Sequence, residues 1–174
     1  GYEGLLNIAH DSPPEQGMAI IRELLQMETL PPAIKIRAVI LQSRYALPGR
    51  LVSELAPDLT LTPGRETWLY TWSENNPGNL VLAKMLAGDK PPDVELVGLC
   101  LDGETVALTQ INTGGERPPG RLVRDDGVMS AHLLMSEAGL AYRVDADGVI
   151  RSVSLMRDMR DMRDMQSQRA NANT

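Results

Sequence analysis

Apolar positions recur at helical spacing through the first 90 residues. Met18, Ile21 and Leu25 lie on one stripe of a helix that opens at Ser12-Pro13-Pro14-Glu15, where Ser12 can cap the free amides and Pro13 suits the first helical position. Pro31-Pro32 ends this helix and can open the next one. After a lead-in over residues 1–12, the pattern predicts helices near residues 13–28, 31–46, 50–56 and 77–87.

The hydrophobic period changes to two between residues 59 and 72. Leu59-Thr60-Leu61-Thr62 alternates, Pro63-Gly64 marks a turn, and residues 67–72 alternate again. This pattern predicts a β-hairpin over residues 59–72.

Three Asp-Gly pairs lie between apolar runs in the second half of the chain, at residues 102–103, 126–127 and 147–148. A two-residue hairpin turn needs positive φ at both central positions, which favours this dipeptide. A turn at the first pair sets Leu99 opposite Val106, and a turn at the third sets Tyr142 opposite Val153, each on an apolar face. The predicted strands lie near residues 94–101, 104–112, 121–125, 128–135, 140–145 and 149–155.

The sequence therefore predicts the α+β fold class. An N-terminal helical subdomain with a β-hairpin covers residues 1–90, and an antiparallel β-meander of five to six strands covers residues 91–155. Lys90-Pro91-Pro92 is a stiff joint and marks the predicted boundary between them. Residues 156–174 form a helical or disordered tail.

Charge and composition narrow the classes of partner. Seventeen basic and twenty-three acidic side chains give a net charge of −6 with His neutral, which disfavours nucleic acid and anionic membranes. No apolar run approaches the ~18 residues that a membrane-spanning helix needs. Cys100 is the only cysteine, so the chain forms no internal disulfide and its compartment is unknown. Because the chain starts at Gly1 and not at Met, the sequence leaves open whether a signal or anchor segment has been removed.

Trp68, Tyr70 and Trp72 form the sharpest local feature, since at period two they point to one face. One interpretation is core packing against the helices, which a chain without Phe needs. The other is a surface that stacks on a peptide, a sugar or a flat ligand. Arg117 and Arg121, in a loop rich in Gly and Pro, could hold a phosphate, although two prolines favour a plain flexible loop.

The tail repeats Met-Arg-Asp three times and places Met156, Met159, Met162 and Met165 three residues apart. On a helix these methionines drift around the surface by ~60° per step, while Arg157 and Asp161 would pair at i,i+4. The tail is either a solvated helix or a segment that docks on a partner through exposed Met.

No spacing resembles a metal site, a nucleotide loop or a nucleophile with its base, so no catalytic residue, cofactor or metal is predicted and enzymatic activity is disfavoured. The hypothesis is a non-catalytic protein–protein interaction module, an accessory component of a larger, bacterial-style assembly with a second protein chain or further copies as partner. In its small size, its pI near 4.9 and its α+β pattern, the chain also resembles secretion chaperones. The alternatives are a winged-helix-like regulator in residues 13–73, and a small-ligand-binding protein or enzyme that uses the Trp68/Tyr70/Trp72 face.

Overall fold

A computed structural model of the chain describes residues 1–73, 78–101, 117–135 and 139–172. Its helices and strands in chain order are α1 (Tyr2–Asp11), α2 (Pro14–Leu25), α3 (Pro32–Ala46), α4 (Val52–Leu55), β1 (Thr67–Trp72), α5 (Gly78–Asp89), β2 (Glu95–Cys100), β3 (Arg121–Arg124), α6 (Val128–His132), β4 (Leu140–Val144), β5 (Ile150–Leu155) and α7 (Met159–Ala172). Across these ranges, the helices are all too short or too polar to cross a membrane.

The strands form one mixed sheet in the order β3-β2-β1-β4-β5. The central strand β1 pairs in parallel with β2 and antiparallel with β4. β3 lies parallel to β2, and β5 lies antiparallel to β4. The predicted antiparallel meander is therefore wrong. Parallel neighbours need a crossover connection, and α5 provides it between β1 and β2.

Helices cover both faces of the sheet, which explains why β1 is buried along its whole length. Leu69 lies in a core cluster with residues of α4 and α6. Trp68 lies in a second cluster, with residues of α5 and α7. The alternation of residues 67–72 therefore does not mark a hairpin with one solvated face. Thr67 and Thr71 are fully buried as well.

The hairpin predicted at Asp147-Gly148 is confirmed in its register. Tyr142 pairs with Val153, and Leu140 pairs with Leu155. The Asp145 carboxylate accepts the backbone N–H groups of Asp147 and Val149 at 2.9 and 3.0 Å. Gly148 has φ +81°, a conformation that glycine adopts without a steric penalty.

Asp126-Gly127 opens a helix and not a hairpin. The Asp126 carboxylate accepts the N–H groups of Met129 and Val128, at 2.8 and 2.9 Å, which is the hydrogen bonding of a helix cap. The hydrogen bond from Met129, and to a smaller extent the one from Val128, holds the pKa of Asp126 below its usual value. The strand predicted over 128–135 is therefore wrong, since α6 occupies its first half. The prediction at Asp102-Gly103, with its strand 104–112, lies outside the described residues.

The first three helices pack around a core of their own. The predicted helices near 13–28 and 31–46 are confirmed as α2 and α3, and α1 is an additional helix where only a lead-in was predicted. The buried members of this core are Leu6, Ala9, Ile21, Leu24, Ile34, Ala38 and Leu41. Ser12 does not cap α2. Its hydroxyl donates to the Ile8 carbonyl at 2.5 Å and so closes the end of α1.

Residues on both sides of the predicted boundary at residue 90 contribute strands to the same sheet, since β1 lies between β2 and β4. The sheet therefore contains strands from both sides of the predicted boundary. A division into independently folding units stays a prediction.

Candidate functional site

The three aromatic residues of β1 are packed inside the protein. Trp68, Tyr70 and Trp72 are 0%, 0% and 2% exposed and share one core cluster with Met165 of α7. The Tyr70 hydroxyl donates to the Pro119 carbonyl at 2.6 Å, and burial raises the pKa of Tyr70. The core-packing interpretation is confirmed, and a stacked ligand cannot reach these rings.

Arg121 takes part in structural contacts at the edge of the sheet. Its Nε–H donates to Glu95 Oε1 at 3.0 Å, and Nη2 donates to the Thr60 carbonyl at 2.5 Å. Arg117 is exposed. Residues 114–116 of the predicted phosphate loop lie outside the described residues, so a joint role of the two arginines stays a prediction.

The methionine tail packs on its own chain. Met156 and Met165 are 5% and 0% exposed within the cluster beneath the β1 aromatics, and Met162 packs beside them. The side chain of Met159 is outside the described part. Asp161 pairs with Arg44 of α3 and not with Arg157, so the predicted i,i+4 pair is wrong. The described methionines are thus occupied within the chain, and docking on a separate partner stays a prediction.

A cleft between the N-terminal helices and the start of the tail gathers basic side chains. We call it the arginine cleft. It has a volume of about 300 Å³. Its polar walls are formed by Asn7, His10, Arg37, Arg44, Arg157 and Asp158, and its apolar walls by Leu6, Ile40, Leu41 and Leu155. Three arginines and a histidine face one carboxylate, although the whole chain carries a charge of −6.

Arg44 is the central cation of this cleft, because it touches both neighbouring helices. Its Nη1 lies 3.4 Å from His10 Nε2 on α1, and its Nη2 forms an ion pair with Asp161 on α7. Its Nε–H is buried and has no hydrogen-bond partner among the described residues. Burial lowers the pKa of Arg44, and the carboxylate of Asp158 raises it. A guanidinium has five N–H donors, so Arg44 keeps donors beyond these two contacts.

The other two arginines of the cleft, Arg37 and Arg157, are more exposed to solvent than Arg44. Arg37 lies 3.7 Å from Glu3, and the two side chains are 44% and 78% exposed, which makes a weak surface pair. Arg157 is exposed and has no ion pair within the described residues. Two exposed guanidiniums beside a largely buried one suit a ligand with several anionic oxygens.

Sequence reasoning missed this cleft because its basic residues come from three separate segments. His10 lies in the last turn of α1, Arg37 and Arg44 are seven residues apart on α3, and Arg157 precedes α7. The spacing of two turns on α3 was the one local signal, since it places both arginines on one side of the helix.

The carboxyl ends of the parallel strands form a second polar region. Thr71 accepts the Leu140 N–H at 2.9 Å through its hydroxyl oxygen, and Ser73 and Asn79 are 4% and 5% exposed. Gly139 has φ +77°, and a Cβ there would lie 2.7 Å from Asn79 Oδ1. Cys100, the last residue of β2, ends at this edge of the sheet, but it is fully buried. In α/β sheets ligands bind outside this edge.

No cluster of three or more His, Cys, Asp or Glu side chains suited to a metal occurs in the part of the chain that the structure describes. His132 Nδ1 lies 2.8 Å from the Leu55 carbonyl, and His10 Nδ1 lies 3.3 Å from Asp11. Both histidines thus make local contacts.

Several solved structures share part of this fold. A protein described as a thiol:disulfide interchange protein DsbE, from Chlorobium tepidum, is 16% identical, with a TM-score of 0.48 over 63% of this chain and 80% of that one. A protein described as a thiol-disulfide oxidoreductase, from Bacteroides vulgatus, is 17% identical, with a TM-score of 0.46 over 70% and 76%. MTB dsbF is 19% identical, with a TM-score of 0.44 over 64% and 83%.

No protein-family model matches the chain, and no curated protein sequence matches it significantly. The likeness to the solved structures is one of fold. Thioredoxin-like proteins are among these neighbours, and the mixed five-stranded sheet replaces the predicted meander.

The hypothesis of a non-catalytic interaction module, chaperone-like or not, is wrong. The antiparallel sheet predicted from the sequence is replaced among the described residues by a mixed sheet with β1 at its centre, and Met165 of the tail is buried. The winged-helix alternative fails too, since residues 59–62 form no strand and β1 pairs with β2 and β4.

Proposed function

We propose that the chain binds a small molecule with a phosphate or carboxylate group in the arginine cleft. The observation that carries this proposal is the convergence of Arg37, Arg44 and Arg157 on one cavity of about 300 Å³. That volume is within the range of small-molecule sites. Guanidinium groups bind both kinds of anion through paired N–H donors.

The electrostatics favour an anion that enters between Arg157 and Arg44. Arg44 is already desolvated, and its side chain is 20% exposed, so contacts to it are screened less than those of a surface arginine. Arg157 is exposed and can close over the ligand from the other wall. Asp158 lies on the same wall, where its Oδ1 accepts the Asp161 N–H at 3.1 Å, so part of that carboxylate is committed to the start of α7.

Isothermal titration of the full chain with inorganic phosphate, citrate and acetate at constant ionic strength tests the proposal. We expect one saturable site for at least one of these anions. Arg157→Gln should weaken that site by roughly tenfold or more, because a charge-assisted hydrogen bond is lost. Arg22→Gln is the matched control, since Arg22 is exposed on α2 and does not line the cleft.

Two results would contradict the proposal. One is the absence of saturable heat with all three anions. The other is an equal loss of affinity in Arg157→Gln and Arg22→Gln, which would indicate a response to net charge alone.

A second candidate function is thiol–disulfide exchange through Cys100, which the names of the solved neighbours suggest. Cys100 lies at the carboxyl edge of the parallel strands, beside Trp72 of β1. A single thiol can form a mixed disulfide with a substrate but cannot close an internal one. Its burial disfavours attack, because the reactive species is an accessible thiolate. Formation of a mixed disulfide between the native chain and a disulfide-containing protein, with release of one thiolate of that protein and loss of the adduct in Cys100→Ser, would support this candidate.

A further inference from the structure

Methionine thioethers line a second cavity on the opposite side of the tail. We call it the methionine cavity. It has a volume of about 210 Å³ between α5 and α7. Its lining residues are Leu82, Met85, Leu86, Asp89, Met156, Met162, Arg163 and Gln166. Three of the nine methionines of the chain therefore meet at one place.

These three methionines come from separate segments. Met85 lies on α5, Met156 follows β5, and Met162 lies on α7. Their environments differ as well, since Met156 is 5% exposed and Met85 is 59% exposed. A ligand could thus enter past Met85 and reach a sulfur held firmly by the core.

We propose that Met85, Met156 and Met162 bind a soft monovalent metal ion, Cu⁺ or its analogue Ag⁺. Thioether sulfur is a soft ligand that selects Cu⁺ over hard cations. The apolar wall of Leu82 and Leu86 suits a weakly hydrated ion. The Met-Arg-Asp repeat supplies two of the three sulfurs, which gives its three-residue spacing a chemical role besides packing.

The charged groups at the cavity favour this class of metal. Asp89 is the one carboxylate among the described residues that line the cavity. The guanidinium of Arg163 lines the same cavity and carries the opposite charge. A divalent hard ion such as Mg²⁺ needs several oxygen ligands and finds one carboxylate and the Gln166 amide.

Ag⁺ titration of the chain with methyl-labelled methionine tests the proposal. We expect the Met85, Met156 and Met162 methyl signals to shift together and to saturate at one equivalent, while the buried Met129 stays unchanged. Met162→Leu, which conserves volume, should weaken Ag⁺ binding at least roughly tenfold. Met27→Leu is the matched control, since Met27 is exposed and lies outside the cavity.

Cys100 lies in the same core cluster as Met156 and would bind Ag⁺ strongly if reached. The titration is therefore repeated with Cys100→Ala. Retained one-equivalent binding in Cys100→Ala supports the methionine site, and so does competition by Cu⁺ but not by Zn²⁺. Loss of binding in Cys100→Ala, no shift of the three methyl groups, or equal effects of Met162→Leu and Met27→Leu would each overturn it.

Discussion

Arg44 and Asp161 join α3 to α7 through an ion pair in which the two side chains are 20% and 12% exposed. Asp161 also accepts the Leu155 N–H at 2.9 Å, so one carboxylate holds the end of β5 and the side of α3. A single acidic residue therefore links α3 to the junction between β5 and α7, more than a hundred residues further along the chain.

The Asp161→Asn substitution should lower the free energy of unfolding by about 2 to 3 kcal/mol. The amide oxygen can still accept the Leu155 N–H, but Arg44 loses its ion-pair partner while it stays largely buried. Urea denaturation measures the loss. Glu23→Gln, at an exposed position of α2, should change stability by less than ~0.5 kcal/mol. Equal effects of the two substitutions would show that the ion pair adds nothing.

Two glycine substitutions should have opposite effects on stability. Gly98 is paired with Tyr70, and a Cβ there would lie 2.6 Å from the Tyr70 hydroxyl oxygen. Tyr70 is fully buried and bonded to Pro119, so it cannot move aside. We expect Gly98→Ala to destabilise by about 2 to 3 kcal/mol. In Gly88→Ala the new methyl meets nothing within 4 Å, and the helix α5 should gain roughly 0.5 to 1 kcal/mol.

Thermal or urea unfolding of both variants tests this pair. A neutral Gly98→Ala would mean that the Tyr70 ring has room to shift. A destabilising Gly88→Ala would mean that α5 ends before this residue.

The parallel sheet was within reach of the sequence. A strand at 67–72, a helix at 77–87 and a strand at 94–101 were all predicted, and strand–helix–strand is the pattern of a parallel pair. The prediction followed the Asp-Gly pairs and not this pattern, because a hairpin turn is a local signal. The pairing of β1 with β4 joins residues some seventy positions apart, and no local signal marks it. The same turn signal was correct at Asp147-Gly148 and wrong at Asp126-Gly127. An Asp carboxylate caps a helix as readily as it forms a turn.

The arginine cleft and the methionine cavity could not be predicted in the same way. Each is assembled from side chains on elements that are separated along the chain and meet only in the folded structure. The repeat in the tail pointed to unusual methionine chemistry, but Met85 on α5 carries no signal that links it to Met162.

The thiol of Cys100 should react slowly in the native protein. The side chain is fully buried, so a reagent reaches it only after local opening. We expect modification by a thiol-specific chromogenic reagent to be at least roughly a hundredfold slower than in urea, which corresponds to an opening free energy of ~2.7 kcal/mol or more. Equal rates in the two conditions would contradict this burial and favour the thiol-exchange function.

Glu95 should make the free energy of unfolding depend on pH in the acidic range. The Thr62 side-chain hydrogen bond, and then that of Arg121, hold the pKa of Glu95 below its usual value. A carboxyl group whose pKa is lower in the folded state contributes stability above its unfolded pKa of about 4.3, and loses it as pH falls through the folded pKa. Glu95→Gln should therefore be less stable than the parent chain at pH 7, and the difference should shrink as the pH falls to 3. Urea midpoints at both pH values measure the difference, and an equal difference at both would rule out the charge as its origin.

Met165 should anchor the tail to the rest of the chain. It is 0% exposed and lies in one cluster with Trp68, Trp72 and residues of α5. Met165→Ala should cost about 2 to 4 kcal/mol, because it leaves a cavity under the β1 aromatics. Met27→Ala, at a site that is 41% exposed, should cost much less. Tryptophan fluorescence during urea unfolding reports on both variants. If Met165→Ala leaves the unfolding midpoint unchanged, the tail does not dock on this face in solution, and the methionine cavity would then lack one of its walls.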